Sequence, residues 1–155
     1  MNRRLTTPIH TAAVGLGNLR FFKSPLEGPR MPWFAVPDLF TCLSMDRGLR
    51  RVFHASIRRE HRDDIRMVWT ETGETMIAPH FMAQGLIGAL IEVAGAPASL
   101  EASYAMGGAG AMTALVAHLP NAADRVNYSI AAYRNENGIE GEFTPLRDLG
   151  GGLIG

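Results

Sequence analysis

The stretch Pro32-Trp33-Phe34-Ala35-Val36-Pro37-Asp38-Leu39-Phe40-Thr41-Cys42-Leu43 begins as a strand and ends as a helix. Trp33, Phe34 and Val36 favour extended backbone. Pro37 suits a first helical turn, where its missing N–H is not needed. Asp38 puts negative charge where the helix dipole favours it. Leu39, Phe40 and Leu43 then follow helical spacing. A strand that hands the chain directly to a helix, with aromatics at the joint, belongs in a core. The rest of the chain is read outward from that joint.

Upstream, Ala12, Val14, Leu16, Leu19, Phe21 and Phe22 predict one or two short strands, with Gly15 and Gly17 at turn or bulge positions. Residues 1–8 read as a mobile end. Ser24-Pro25-Leu26-Glu27-Gly28-Pro29 is a turn cluster. The strand over 32–36 is expected to pair back on the one before it, making a small antiparallel sheet.

Downstream, Ser44 or Asp46 can cap a second helix over 47–59. Leu49, Val52, Phe53 and Ile57 form its apolar stripe. Arg47, Arg51, His54 and Arg58 occupy the opposite face, with Arg50 at its edge, Arg59 at its end and Arg62 just beyond. This is the one concentrated basic feature of the sequence. Its plainer meaning is a solvated face, partly neutralised by Glu60, Asp63 and Asp64. Its functional meaning is a phosphate contact.

Residues 65–70 and 75–78 flank Glu71-Thr72-Gly73-Glu74, a hairpin with Gly73 where positive φ is needed. Residues 80–95 form the strongest helix, apolar around nearly its whole circumference, with Gly95 as its C-cap. Such a helix is central and buried, or covered by a second subunit. Residues 98–119 carry Glu101 as their only formal charge and read as another helix. Gly107, Gly108 and Gly110 weaken its middle by roughly 1 kcal/mol each relative to Ala, and either break it into two or allow close backbone contact. Val126 to Ile130 fit a strand or a short helix. Beyond Asn135 the chain turns to Gly, Asn and Glu and ends in a glycine-rich tail. The expected division is an N-terminal extension or edge strand over 1–16, a main domain over 17–120 and a partly flexible extension over 121–155. The fold class is α+β, a small antiparallel sheet of strands and hairpin packed against four or so helices.

A chain of 155 residues with 46% apolar and 19% charged side chains is long enough to bury a core and too apolar to be disordered. Net charge is zero, so binding to a polyanion would depend on a local patch. Of fifteen basic residues only Lys23 is a lysine. Arginine suits bidentate contacts to phosphate, although biased base composition gives the same excess. Cys42 is the sole cysteine, which excludes an intrachain disulfide, and its helix face argues for a buried thiol. No apolar stretch follows Arg3 and Arg4, and no run approaches a membrane span, so a soluble cytoplasmic protein with no membrane association is expected.

The five histidines, His10, His54, His61, His80 and His118, make no metal-type spacing with one another or with Cys42. Gly107-Gly108-Ala109-Gly110 lacks the Lys-Ser/Thr that a phosphate loop needs. Asp63-Asp64 beside Arg62 and Arg66 reads as ion-paired surface. Nothing in this pattern asks for an enzyme, a cofactor or a metal.

Taken in order, these features resemble the BRO-family N-terminal domain of phage and large-virus antirepressors, over about residues 19–120. The junction from Trp33-Phe34 to Asp38 is similar to its opening, and residues 47–59 to its second helix. Thr70-Glu71-Thr72-Gly73-Glu74 followed by Met76-Ile77 resembles its hairpin. Gly85-Leu86 with Leu90-Ile91 resembles its glycine-leucine helix, and Leu119-Pro120 its close. The resemblance implies a small α+β domain of a phage, prophage or plasmid-borne regulator that binds double-stranded DNA without a cofactor. Arg47, Arg50, Arg51, Arg58 and Arg59 would then contact phosphates, and Thr72 and Thr75 would contact secondarily. The chain departs from the family at residues 105–112, which carry no base and no aromatic where the family has a basic stretch and a tryptophan. That departure favours the alternative, a protein-interaction module that binds a repressor or forms a homodimer.

Overall fold

The structure, a computed structural model, describes residues 4–147. The hairpin of β1 (His10–Val14) and β2 (Gly17–Phe22) comes first, in register Val14 to Gly17. Its two-residue turn places Gly15 at φ +55°, the position a type II′ turn gives to glycine. β3 (Trp33–Ala35) is three residues long, and the chain passes straight into α1 (Val36–Cys42). Val36 is therefore the first helical residue, with Pro37 in the first turn and Asp38 behind it.

α2 (Arg47–Glu60) follows, then the hairpin of β4 (Arg66–Thr70) and β5 (Gly73–Ala78), with Gly73 at φ +112°. The helices α3 (His80–Ala94), α4 (Ser99–Val116) and α5 (Ala122–Glu136) complete the described chain. The fold is α+β: five helices and one antiparallel sheet in the order β1-β2-β3-β5-β4. The segment before β1 donates Thr6 N–H to the Trp69 carbonyl on β4 at 2.7 Å, so a hydrogen bond links the two ends of the strand order.

β3 sits in the middle of the sheet and is buried throughout. Trp33 and Phe34 point to opposite faces, as a period of two demands. Phe34 joins the main core with Phe21, Leu19, Leu39, Phe40, Ile87 and Tyr104. Trp33 joins a smaller cluster with Phe22, Ala35 and Ile77. The joint read first in the sequence thus supplies both cores.

One expectation changes and three open ones are narrowed. Residues 4–8 are tied to the sheet rather than loose, through Thr6. The glycines of α4 do not break it: a Cβ at Gly107 would lie 3.1 Å from Ala12 Cβ, so α4 lies on β1 at the distance glycine permits. Val126 to Ile130 belong to a helix fifteen residues long, capped by Asn121, whose Oδ1 accepts Asp124 N–H at 2.8 Å. α3 buries only Ala83, Ile87 and Leu90, while Phe81 and Val93 are exposed. The tail expected beyond Asn135 is described as far as residue 147; residues 148–155 of it, and residues 1–3 of the expected mobile end, lie outside the described residues. Among the described residues no helix is long and apolar enough to cross a membrane.

Candidate nucleic-acid interface

Asp46 fixes where α2 begins. Its carboxylate accepts Leu49 N–H at 2.8 Å and satisfies a backbone donor that the first turn leaves unpaired. Ser44, the other candidate cap, instead takes φ +52° in the loop. From this start Leu49, Phe53 and Ile57 turn toward the main core and are partly buried. Val52, expected on the same stripe, is 64% exposed. At about 100° per residue it lies a turn-edge away from the other three, out of reach of the core. No residue of α2 is fully buried. The helix rides on three side chains and gives most of its surface to solvent.

That surface sorts the predicted residues. Arg47, Arg51, His54 and Arg58 fall within a sector of about 60° opposite the core. The three arginines are exposed and His54 is half-buried. Arg62 follows just past the helix end and is exposed. Arg58, Arg62 and Arg66 then converge on one cleft of about 320 Å³, floored by Ile65, Met67 and Met76. Arg47, Arg51, Arg58 and Arg62 form no ion pair with any described residue.

Two predicted residues fall outside this set. Arg50 Nε donates to the Met45 carbonyl at 2.8 Å and ties the helix to the loop before it. Arg59 lies about 100° around the helix from Arg58 and pairs with Glu60 at 3.2 Å. Both Arg58 and Arg59 also complement the negative end of the helix dipole, a purely structural use of charge.

Of the acids expected to neutralise the basic face in part, Glu60 does so at Arg59, while Asp63 and Asp64 pair with no arginine. Asp64 contacts His61 at 3.4 Å, and Arg66 Nη1 donates to the backbone carbonyls of Asp63 and Ile65, not to carboxylates. Arg66 is thus a candidate that the sequence hides, because beside Asp63-Asp64 it reads as part of an ion-paired surface.

The hairpin threonines are engaged elsewhere. Thr75 is buried, and its hydroxyl donates to the Gly73 carbonyl at 3.3 Å, which removes it from the carried-over contact set. The exposed Thr72 accepts from Arg20 Nη1 at 3.1 Å. Arg20 itself forms a bidentate pair with Asp38, Nε to Oδ2 at 2.7 Å and Nη2 to Oδ1 at 3.0 Å. The hydrogen bond to Asp38 holds the guanidinium pKa above its ordinary value. Asp38 also accepts the Arg20 backbone N–H at 3.0 Å. This network joins β2, α1 and the β4–β5 turn and makes Arg20 a structural arginine.

Cys42 is buried under the β1–β2 turn, and desolvation pushes its thiol up to about 11, which leaves it a poor nucleophile at neutral pH. Away from α2, His80 Nδ1 lies 2.9 Å from the Tyr104 hydroxyl with the two rings stacked. Burial lowers the His80 pKa and raises that of Tyr104, keeping both neutral. Glu136, from α5, accepts Phe81 N–H at 3.0 Å at the start of α3. Burial raises its pKa. Among the described residues no group of His, Cys, Asp and Glu is placed to hold a metal ion. Comparison with family models, curated proteins and solved structures gives no match for this chain, so the likeness to BRO-family domains rests on the residues quoted for it.

Proposed function

We propose that this chain is a DNA-binding regulatory protein of antirepressor type, not an enzyme, in which α2 lies along the phosphate backbone of double-stranded DNA. The observation that carries the reading is the set Arg47, Arg51 and Arg58, on one side of a helix that buries nothing fully, with Arg62 just beyond its end: all four are exposed and form no ion pair among the described residues. From Arg47 to Arg58 the helix rises about 17 Å, enough to run past several phosphates. Arg66 extends the contact from the neighbouring strand. Such a surface gives salt-dependent binding that is largely indifferent to sequence. Arg50 and Arg59 are bystanders in this reading: Arg50 is half-buried and tied to the Met45 carbonyl, and Arg59 is ion-paired with Glu60 off the basic face.

The test is fluorescence anisotropy with a labelled duplex from the protein's own upstream region and a scrambled duplex, at two salt concentrations. Wild-type protein binds both, more weakly at the higher salt. The variant Arg51→Ala with Arg58→Ala reduces the slope of log K against log salt by about 2, as loss of two phosphate contacts requires. An unchanged affinity and slope in that variant sinks the assignment.

A second reading, a module that binds a repressor protein or a second copy of itself, draws on α3 and α4. Val93 is 83% and Met106 76% exposed on helices that carry one acid each, Glu92 and Glu101. Failure of the wild type to bind either duplex at low salt favours this reading.

A further inference from the structure

Three glycines in one short stretch of α4 serve different ends. A Cβ at Gly107 would touch Ala12 and the Phe21 ring, and one at Gly110 would run into the His10 imidazole at 2.6 Å. Those two are small because α4 lies against the sheet. A Cβ at Gly108 would meet nothing within 4 Å. With Ala105 and Ala109 it lines a cleft of about 380 Å³ bounded by α3, α4 and α5. That volume is at the small end of the range for small-molecule sites, about 300–1,000 Å³.

The chemistry of its walls selects among ligands. Ile87, Met31 and Met112 give it an apolar body. The stacked pair His80 and Tyr104 stands on one side, with ring centroids 5.4 Å apart, and Tyr133 on another. Tyr104 is 2% exposed, and its hydroxyl is already engaged by His80. Glu101 is the only charged side chain on the lining, and no lysine or arginine is part of it. Glu136 lies behind, close enough to act electrostatically on Tyr104, and Arg30 acts on Glu136 in turn, so the charge of the cleft is set by Glu101. An anion would therefore enter against the Glu101 carboxylate with no cation on the lining to receive it. A cation would gain that carboxylate and the exposed ring of Tyr133.

We propose that the cleft between α3, α4 and α5 is a binding site for a small organic amine with an apolar body, its ammonium group held at Glu101 and its body resting on the wall of Ala105, Gly108 and Ala109. The site is separate from α2 and does not rest on DNA binding.

The probe is phenethylamine, titrated into the full chain by calorimetry, with phenylacetate and 2-phenylethanol as the anionic and neutral counterparts. Saturable binding is expected for the amine, at least several-fold weaker for the alcohol and absent for the acid. Glu101→Gln weakens the amine about tenfold and leaves the alcohol unchanged. Ala109→Leu fills the cleft and abolishes amine binding while the protein still melts cooperatively, since leucine is a good helix former at a position open to the cleft. If that variant does not fold, Ala105→Leu fills the same wall and takes its place. No saturation by the amine at millimolar concentration, equal binding of acid and amine, or full binding in the filled variant each overturns the proposal.

Discussion

Gly15→Ala is expected to cost roughly 2–5 kcal/mol of stability, a large share of the 5–15 kcal/mol that holds an ordinary domain together. Two separate effects add. Gly15 has φ +55°, and a left-handed conformation costs a residue with a Cβ about 1–2 kcal/mol. A Cβ there would also drive into the backbone carbonyl oxygen of Cys42 and approach Leu100 Cδ2 at 2.9 Å. The leucine can turn aside. The carbonyl cannot, because it ends α1 and accepts Leu16 N–H at 3.2 Å. Relief means lifting the β1–β2 turn off the helix, with the loss of packing that overfilling a core brings, about 1–3 kcal/mol. Gly28→Ala separates the two effects. Gly28 has φ +79° but open space around it, so the same change should cost only the conformational part. Urea unfolding of both variants gives the comparison. Equal losses would mean that the contact of the turn with α1 is not made in solution.

The contrast between those glycines shows where sequence reading stops. That Gly15 belongs to a turn follows from its neighbours. That it also touches Cys42, 27 positions later, depends on how the hairpin is laid on α1. The features legible in advance were local in this sense. Pro37 and Asp38 start α1, Asp46 caps α2, and Gly95 ends α3 at φ +71° because a helix end needs that residue type there. α5 carried a local signal too, Asn121 with Asp124 three residues on. It was obscured because its packed face is built from side chains of middling burial, not from a sharp apolar stripe. Gly107 and Gly110 leave open either a break in α4 or a close contact, because the sheet beneath them that decides it is a distant part of the chain.

The candidate interface divides in the same way. The helical period alone gathers Arg47, Arg51, His54 and Arg58, whereas the loss of Arg50 to the Met45 carbonyl and the gain of Arg66 depend on loop paths that no period encodes. His80 and Tyr104 are 24 positions apart and meet only because α3 and α4 pack against each other.

Arg20→Met should cost about 2–4 kcal/mol, and it is the variant that tells structural arginine from binding arginine in this protein. The side chains of Arg20 and Asp38 are only 19% and 16% exposed. Methionine replaces the aliphatic stem but leaves the carboxylate of Asp38 half-buried without its bidentate partner, and loses the Nη1 bonds to Thr70 at 3.2 Å and to Thr72 at 3.1 Å. Leaving one member of a fully buried pair alone costs about 3–5 kcal/mol, and the residual exposure here lowers that figure. Adding Asp38→Asn removes the stranded charge, so the double variant should be more stable than the sum of the single losses predicts, with a coupling of about 1–3 kcal/mol in a double-mutant cycle. Because the pair is mostly out of water, the coupling should survive half-molar salt, where exposed pairs are screened. On α2 the pattern reverses: Arg51→Ala with Arg58→Ala removes exposed, unpaired cations and should leave stability within about 0.5 kcal/mol while lowering the salt slope of DNA binding. Arg20→Met, assayed where it remains folded, should leave that slope unchanged. Additive single losses would mean that Arg20 and Asp38 do not act together. A loss of salt slope in Arg20→Met would move the phosphate contact off α2 and onto the β4–β5 turn that Arg20 supports.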